Sequence, residues 1–286
     1  MRDELTGIYN IAKKEFYMNL KTKRLLIIGI ILGVVFISAS AYGGILLGGN
    51  PDEPLYKQGP NTVLEMVLSI TSIFPAILAI ALSYDSIVGE RVKKSIYLLL
   101  SKPISRNEIF CGKFLGAFSS IAAVYVAVLS IGYICIIGVS GILPSAGDVL
   151  KACGASGLIL ICIACWIALA MLFSTVFKTT TSCLIVSIVM WLFIIPIVSQ
   201  IGVIYYAVTT NALTQHGLKN TDFPWYAKML YAINPDNCAS AYSNILGGAW
   251  QAVSVLSTKE SIAGMVLFFI VVFLLGLYIF RKTDLD

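Results

Sequence analysis

Charged side chains are scarce in this sequence. Only 12% of its 286 residues are Asp, Glu, Lys or Arg, whereas 58% are hydrophobic, and soluble domains contain about 25% charged residues. So few charges cannot cover a globule with polar surface, and they also exclude a disordered chain or a nucleic-acid-binding protein. The mean hydropathy of +0.88 supports the same conclusion. The composition predicts a polytopic membrane protein that partners with the lipid bilayer and with no nucleic acid.

The sequence also lacks the residues of a catalytic or energy-converting site. There is no G-x-x-x-x-G-K-[ST] phosphate loop, because Gly112-Lys113 continues with Phe114 and lacks the upstream glycine. No apolar run has an ionisable residue near its middle, where ion-coupled carriers usually bury carboxylates or histidines. Intramembrane hydrolysis would need a base, a metal ligand or a dyad in the same place. We therefore predict a non-catalytic subunit with no catalytic, cofactor or metal site of its own.

The seven cysteines do not form a disulfide framework, because all but Cys238 fall in or beside apolar runs. Cys162 and Cys165 form a C-x-x-C pair inside such a run, with no histidine or acid nearby in the sequence. We interpret them as inert buried thiols. A redox or soft-metal role is the alternative.

Six apolar runs are long enough to cross about 30 Å of hydrocarbon. Continuous Ile, Leu, Val and Phe without two-residue alternation predicts helices and excludes a barrel. The fold class is therefore all-α with six transmembrane helices. The predicted spans are residues 25–47, 66–84, 114–143, 152–177, 183–209 and 261–280.

Lysine and arginine are unevenly distributed between the loops. Six precede the first span and six lie between the second and third spans, whereas the alternate short loops carry only Lys57 and Lys151. The positive-inside bias predicts that both termini are cytoplasmic. Residues 210–260 then lie outside, and their tryptophans and tyrosines are typical of helices that rest at the headgroup level.

Local motifs refine this arrangement. Residues 6–22 predict an amphipathic interfacial helix, which either anchors to anionic lipid or contacts a partner. Two G-x-x-x-G pairs, 29–33 and 112–116, predict close helix packing within the chain before a dimer face. Capping boxes, which mark helix starts, are predicted at Thr62/Glu65, Ser105/Glu108, Ser145/Asp148 and Ser257/Glu260.

The second and fifth spans have modest polarity and one proline each, Pro75 and Pro196, which predict two kinks. Their polar side chains either bond to their own helix or line a route for an amphiphilic substrate. The candidate route residues are Ser69, Ser72, Ser187, Ser199 and Gln200.

The loop 85–106 combines dense charge with an apolar cluster that contains Ile96, Leu99 and Leu100. A short helix with a charged rim is what a docking surface for a soluble partner needs. A solvated hairpin loop is the alternative, although it would expose the apolar cluster to water.

The run D-S-I-V-G-E-R-V-K-K-S-I-Y-L-L-L-S-K-P-I-S-R-N-E-I-F-C-G-K-F-L-G, residues 85–116, closely resembles the loop of type-2 ATP-binding-cassette exporter permeases. The stretches I-A-K-K-E-F and I-F-R-K-T-D-L, together with Asn234-Pro235, resemble the same family, especially its NosY-like branch. The resemblance spans the chain, and the loop after the second span is its most specific part.

The resemblance implies a permease subunit that works with a second permease, identical or not, and with separate cytoplasmic ATPase subunits that hold ATP and Mg²⁺. The loop would form a coupling helix seated on the ATPase, braced by the interfacial helix, and the outer segment would cap the exit. The implied coupling residues are Asp85, Glu90, Arg91, Tyr97, Leu100 and Pro103. A membrane scaffold or sensor and an ion-coupled secondary transporter are the alternative functions.

Overall fold

The computed structural model describes residues 2–48, 59–93, 105–210, 223–247 and 255–282, without the side chains of 2–4 and 238–240. Helices fill most of these ranges. They are α1 (Arg2–Lys21), α2 (Lys23–Gly48), α3 (Pro60–Ile70), α4 (Ile73–Ser83), α5 (Val88–Val92), α6 (Arg106–Ser140), α7 (Ala146–Val176), α8 (Thr180–Val189), a π turn (Met190–Ile194), α9 (Ile195–Thr209), α10 (Trp225–Ala232), a 3-10 turn (Pro235–Asn237), α11 (Cys238–Leu246) and α12 (Thr258–Lys282).

Six helical stretches in these ranges are long and apolar enough to cross a membrane, which confirms the all-α fold with six spans. The fourth span, α7, is central, with 67% of its apolar window buried, whereas the first, fifth and sixth spans bury 22% or less. The third and fourth spans begin earlier than predicted because α6 and α7 start at their capping residues, ahead of the apolar runs.

The predicted second span, residues 66–84, is interrupted between α3 and α4, at Thr71 and Ser72, and the membrane-crossing stretch at this place runs Ile73–Val92. Pro75 explains the break, because its ring lacks an N–H and clashes with the carbonyl four residues earlier, that of Thr71. The fifth span contains a π turn directly before Pro196, in which the N–H of Ile195 donates to the carbonyl of Met190. Both prolines thus coincide with departures from regular α geometry.

Three of the four predicted capping boxes are present, at Ser105/Glu108, Ser145/Asp148 and Ser257/Glu260. The fourth prediction, Thr62/Glu65, is wrong. Helix α3 starts earlier, with Gly59 as its N-cap and Pro60 at its first position, because proline there has its φ preset for a helix and no N–H to satisfy. Glu65 is instead buried and accepts a hydrogen bond from Ser243 on α11.

The predicted interfacial helix is α1, which packs along α6. A Cβ on Gly112 would lie 2.7 Å from Ile11 Cβ, and one on Gly116 would lie 2.9 Å from the carbonyl oxygen of Ala12. These two glycines therefore let the helices touch backbone to backbone. The G-x-x-x-G pair 112–116 serves packing within the chain.

The segment between the fifth and sixth spans differs from the helices expected at the headgroup level. Asp236, in the 3-10 turn between α10 and α11, reaches Trp166 on α7. Trp166 lies about ten residues before the end of α7, or about 15 Å along the helix axis. Residues 223–247 thus fold back into the bundle, and we call them the re-entrant segment.

Gly202 and Gly264 make this entry sterically possible. A Cβ on Gly202 would lie 2.7 Å from Ala227 Cα, and one on Gly264 would lie 2.9 Å from Ala232 Cβ. Helix α10 therefore wedges closely between the fifth and sixth spans.

The packing of α1 on α6 gives a first prediction. Gly116→Leu should lower the free energy of unfolding by about 2 kcal/mol, because overpacking a tight contact displaces neighbouring backbone. Gly138→Leu on the same helix is the control, since no atom lies within 4 Å of a Cβ at Gly138. Thermal unfolding in detergent measures both variants. Equal loss of stability in the two would contradict the packing described here.

Candidate coupling site

The predicted loop 85–106 contains the short helix α5, which is fixed to the end of the fourth span. The Ser174 hydroxyl accepts hydrogen bonds from the backbone N–H groups of Ile87, at 3.1 Å, and Val88, at 2.9 Å. Both of those side chains are buried. The guanidinium of Arg91 donates to the carbonyl of Thr175 at 3.4 Å. Helix α5 therefore has a defined seat on α7.

A buried lysine joins α5 to two further helices. Lys113, on α6, is only 4% exposed, and its Nζ lies 2.9 Å from Glu15 Oε1 on α1 and 2.8 Å from Glu90 Oε1 on α5. An ammonium group loses its hydration when it is buried, and two carboxylates within hydrogen-bond distance compensate for that loss. We call Glu15, Glu90 and Lys113 the charge cluster. It holds the interfacial helix, the short loop helix and the third span together.

A second ion pair is exposed. Arg24, at the start of the first span, donates to Asp85 at 2.7 Å, and its guanidinium lies 5.7 Å from the ring centroid of Tyr84. The side chains are 52% and 32% exposed. Exposed pairs contribute little to stability because water screens them and side-chain entropy opposes them. This pair orients the loop more weakly than the charge cluster does.

The predicted coupling residues fall into two groups. Asp85, Glu90 and Arg91 contact α2, α6 and α7, so they brace the loop helix against the bundle. Tyr97, Leu100 and Pro103 lie outside the described residues, so any contact with a partner by these three stays a prediction.

Three residues of the site were missing from the sequence prediction: Glu15, Lys113 and Ser174. Of the three, only Lys113 could have been recognised from the sequence, because it lies at the edge of an apolar run. A lysine placed there needs an anionic partner if the helix end is buried.

The candidate route residues do not converge. The hydroxyls of Ser69, Ser187 and Ser199 donate to the carbonyls of Glu65, Cys183 and Pro196 on their own helical stretches. That is the back-bonding alternative. Ser72 lines a small cavity beside the break in the second span, and Gln200 lies exposed on α9.

The two cysteines of the C-x-x-C pair lie in different surroundings. Cys162 lies on the same cavity as Ser72, with its Sγ 3.6 Å from Asp236 Oδ1. Cys165 is fully buried, and its thiol faces the carbonyl of Met265 at 3.4 Å. The two thiols therefore point to different neighbours.

Six apolar helices define a multi-pass membrane protein. A family profile described as ABC-2 family transporter protein matches residues 9–285. The chain therefore belongs to the ABC-2 family of transporter proteins, which confirms the resemblance found in the loop.

Two similar proteins carry the name probable ABC transporter permease protein NosY. The chain is 31% identical to the one from Pseudomonas aeruginosa over 109 residues, which cover 38% of each chain. It is also 31% identical to the one from Stutzerimonas stutzeri over 112 residues, which cover 39% of each chain.

The charge cluster gives a second prediction. Lys113→Met should lower the free energy of unfolding by about 3 kcal/mol, because it leaves two carboxylates facing each other without a cation. The triple variant Lys113→Met/Glu15→Gln/Glu90→Gln should recover at least half of that loss, since no unpaired charge remains. Thermal unfolding in detergent compares the variants.

Arg24→Met is the matched control, because it breaks the exposed pair with Asp85 and should cost less than about 1 kcal/mol. If Lys113→Met were no worse than Arg24→Met, the charge cluster would not be holding the three helices together.

Proposed function

We propose that this chain is the permease subunit of an ATP-binding-cassette exporter. In this proposal, separate cytoplasmic ATPase subunits bind ATP and Mg²⁺, and their motion reaches the membrane through the loop that begins at Asp85. The observation that carries the proposal is the charge cluster, because it links the loop helix to the third span by groups that are costly to separate.

The arrangement of α5 suits a force-transmitting element. Glu90 ties it to Lys113 on α6, Lys113 in turn binds Glu15 on α1, and Ser174 ties it to α7. Motion of the loop would therefore move α1, α6 and α7 together. Residues of the loop beyond Lys93 would supply the surface that meets the ATPase, with Tyr97 and Leu100 as apolar anchors and Pro103 ending the helix.

The fifth span supports a second permease subunit as partner. Gln200 is exposed on α9 among Ile197, Ile201 and Ile204, which are 60%, 52% and 59% exposed. An amide that faces lipid has no hydrogen-bond partner, whereas an amide between helices finds one. We therefore place the second permease against this face, with the substrate route between the two subunits.

The transported substrate is proposed to be amphiphilic. The exposed face of the fifth span offers the amide of Gln200 among isoleucines, so it matches a molecule with both polar and apolar parts. Export rather than import is inferred from the type-2 exporter resemblance of residues 85–116.

Two other functions fit parts of the chain. A scaffold or sensor would use the same loop to recruit a soluble protein, but it would show no ATP-dependent transport. An ion-coupled carrier would transport under a sodium or proton gradient without ATP. Transport by vesicles that contain this chain, with or without the ATPase subunits and ATP, separates the three.

The proposal gives a third prediction. Tyr97→Ala/Leu100→Ala should reduce copurification of an ATP-photolabelled subunit about tenfold or more. The reason is that a few large side chains contribute most of the binding energy of an interface. Leu143→Ala/Leu150→Ala is the matched control. Leu143 and Leu150 are 83% and 74% exposed, and they lie at the opposite end of the bundle.

Undiminished copurification by the Tyr97/Leu100 variant would reject this loop as the docking surface. An equal reduction in the control pair would show instead that exposed leucines affect assembly in general.

A further inference from the structure

The re-entrant segment brings a carboxylate to the middle of the bundle. Asp236 Oδ1 accepts a hydrogen bond from Trp166 Nε1 on α7 at 2.8 Å, and Oδ2 accepts one from Trp191 Nε1 in the π turn at 2.9 Å. Its own N–H is held by Asn234 Oδ1 at 3.0 Å. A single side chain therefore connects the re-entrant segment to the fourth and fifth spans.

This position is costly for a charge. A carboxylate far from both membrane surfaces needs partners, and residues of this kind usually have a function. Here the partners are two neutral indole N–H groups and, at 3.6 Å, the Cys162 thiol rather than a cation. Two donors on separate helices fix the position of the carboxylate. Because the donors are neutral, breaking either hydrogen bond leaves no unpaired cation in the bundle.

Asp236 lies at the edge of a cavity of about 20 Å³, which is room for about one water. Asp236 and Tyr242 form its re-entrant wall, Ser72 belongs to the break in the second span, and Cys162 belongs to α7. The cavity thus lies where the re-entrant segment meets the break between α3 and α4 and the fourth span.

Two spans depart from regular α geometry at this level. The second span is already broken beside Pro75, and the fifth span already contains one wide π turn. Such departures often occur at functional sites. Trp191 lies in the π turn. Its hydrogen bond to Asp236 therefore links the conformation of that turn to the position of the re-entrant segment.

Two other polar contacts of the re-entrant segment are made with α3 and α12. Ser243 donates to Glu65 on α3, and Lys228 reaches Glu260 at 3.4 Å in an exposed pair. These two contacts do not involve the fourth or fifth span. Helix α10 packs against Gly202 of the fifth span, and Asp236 adds the hydrogen bonds to Trp166 and Trp191 to that packing.

We propose that Asp236 is a latch that seats the re-entrant segment against Trp166 and Trp191 and thereby closes the central cavity to water from the outer side. The inference rests on the proposed function, because a closed outer path has a purpose only in a transporter. Its test needs neither an ATPase subunit nor a substrate, so the latch and the transport function can fail separately.

Cys162 reports on the latch because it lines the cavity and is buried. Two parent chains, each keeping only Cys162 or only Cys165, would be expressed in cells and labelled with a membrane-impermeant maleimide from outside. Labelling rate then measures how often each thiol is open to water. Cys165, which faces Met265 and does not line the cavity, reports on general loosening of the bundle.

Trp191→Phe is the deciding variant, because it keeps the ring and the carboxylate and removes one donor. We expect it to raise the Cys162 labelling rate about tenfold, with Cys165 still protected, since a hydrogen bond to a charged group is lost. Trp225→Phe is the matched control, because Trp225 is 71% exposed on α10. It should leave both rates unchanged.

Asp236→Asn should raise the Cys162 labelling rate at least as much. Glu260→Gln also replaces a carboxylate by an amide, in an exposed pair of the same region, and it should leave the Cys162 labelling rate unchanged. Unchanged Cys162 labelling in Trp191→Phe would overturn the latch. Equal exposure of Cys162 and Cys165 would also overturn it, because the bond would then hold the whole bundle rather than one closure.

Discussion

The bonds of one buried ammonium group, that of Lys113, organise the end of the bundle where basic residues are concentrated. An ammonium that is 4% exposed must keep both of its carboxylates close, and these come from α1 and α5. The glycines of α6 make this geometry possible, because a side chain at Gly112 or Gly116 would push α1 away. Packing and electrostatics therefore impose the same placement of the interfacial helix and the loop helix. Any motion applied to the loop acts on the third span through this contact.

A second constraint operates at the centre of the bundle. The re-entrant segment enters between the fifth and sixth spans because Gly202 and Gly264 leave room for α10. Its carboxylate, Asp236, then meets two indoles beside a break in one span and a π turn in another. The chain thus has a buried ion-pair cluster at one end and irregular helix geometry at mid-depth. Such a division suits a transporter that receives motion at one surface and opens a path further away.

Much of the fold follows from composition and local pattern. The six spans were predicted from apolar length alone, because the bilayer imposes one dimension on all of them. Three capping boxes were predicted correctly because a cap depends on residues three apart. Thr62/Glu65 matched the same pattern, but Pro60 starts that helix first, and Glu65 is used for a contact with α11.

The sites were less predictable because their contacts are distant in the sequence. Lys113 meets Glu90 across 23 residues and Glu15 across 98, and nothing in the local pattern joins them. Asp236 escaped notice because it lies outside every apolar run, and only the backbone fold carries it to Trp166 and Trp191. A residue that enters the bundle from a loop leaves no mark in the apolar pattern of the spans.

In the proposed function, α1 and α5 move as one body with the third span when ATP binds to the separate ATPase subunits. Spin labels at Asn10 and Lys93 report on that body, and a label at Ile204 on the exposed face of α9 reports on its motion relative to the fifth span. Double electron–electron resonance on the complex with its ATPase subunits, with and without ATP and vanadate, measures both distances. The account predicts a constant Asn10 to Lys93 distance and a nucleotide-dependent Lys93 to Ile204 distance. A nucleotide-dependent change between Asn10 and Lys93, or no change in either pair, would contradict it.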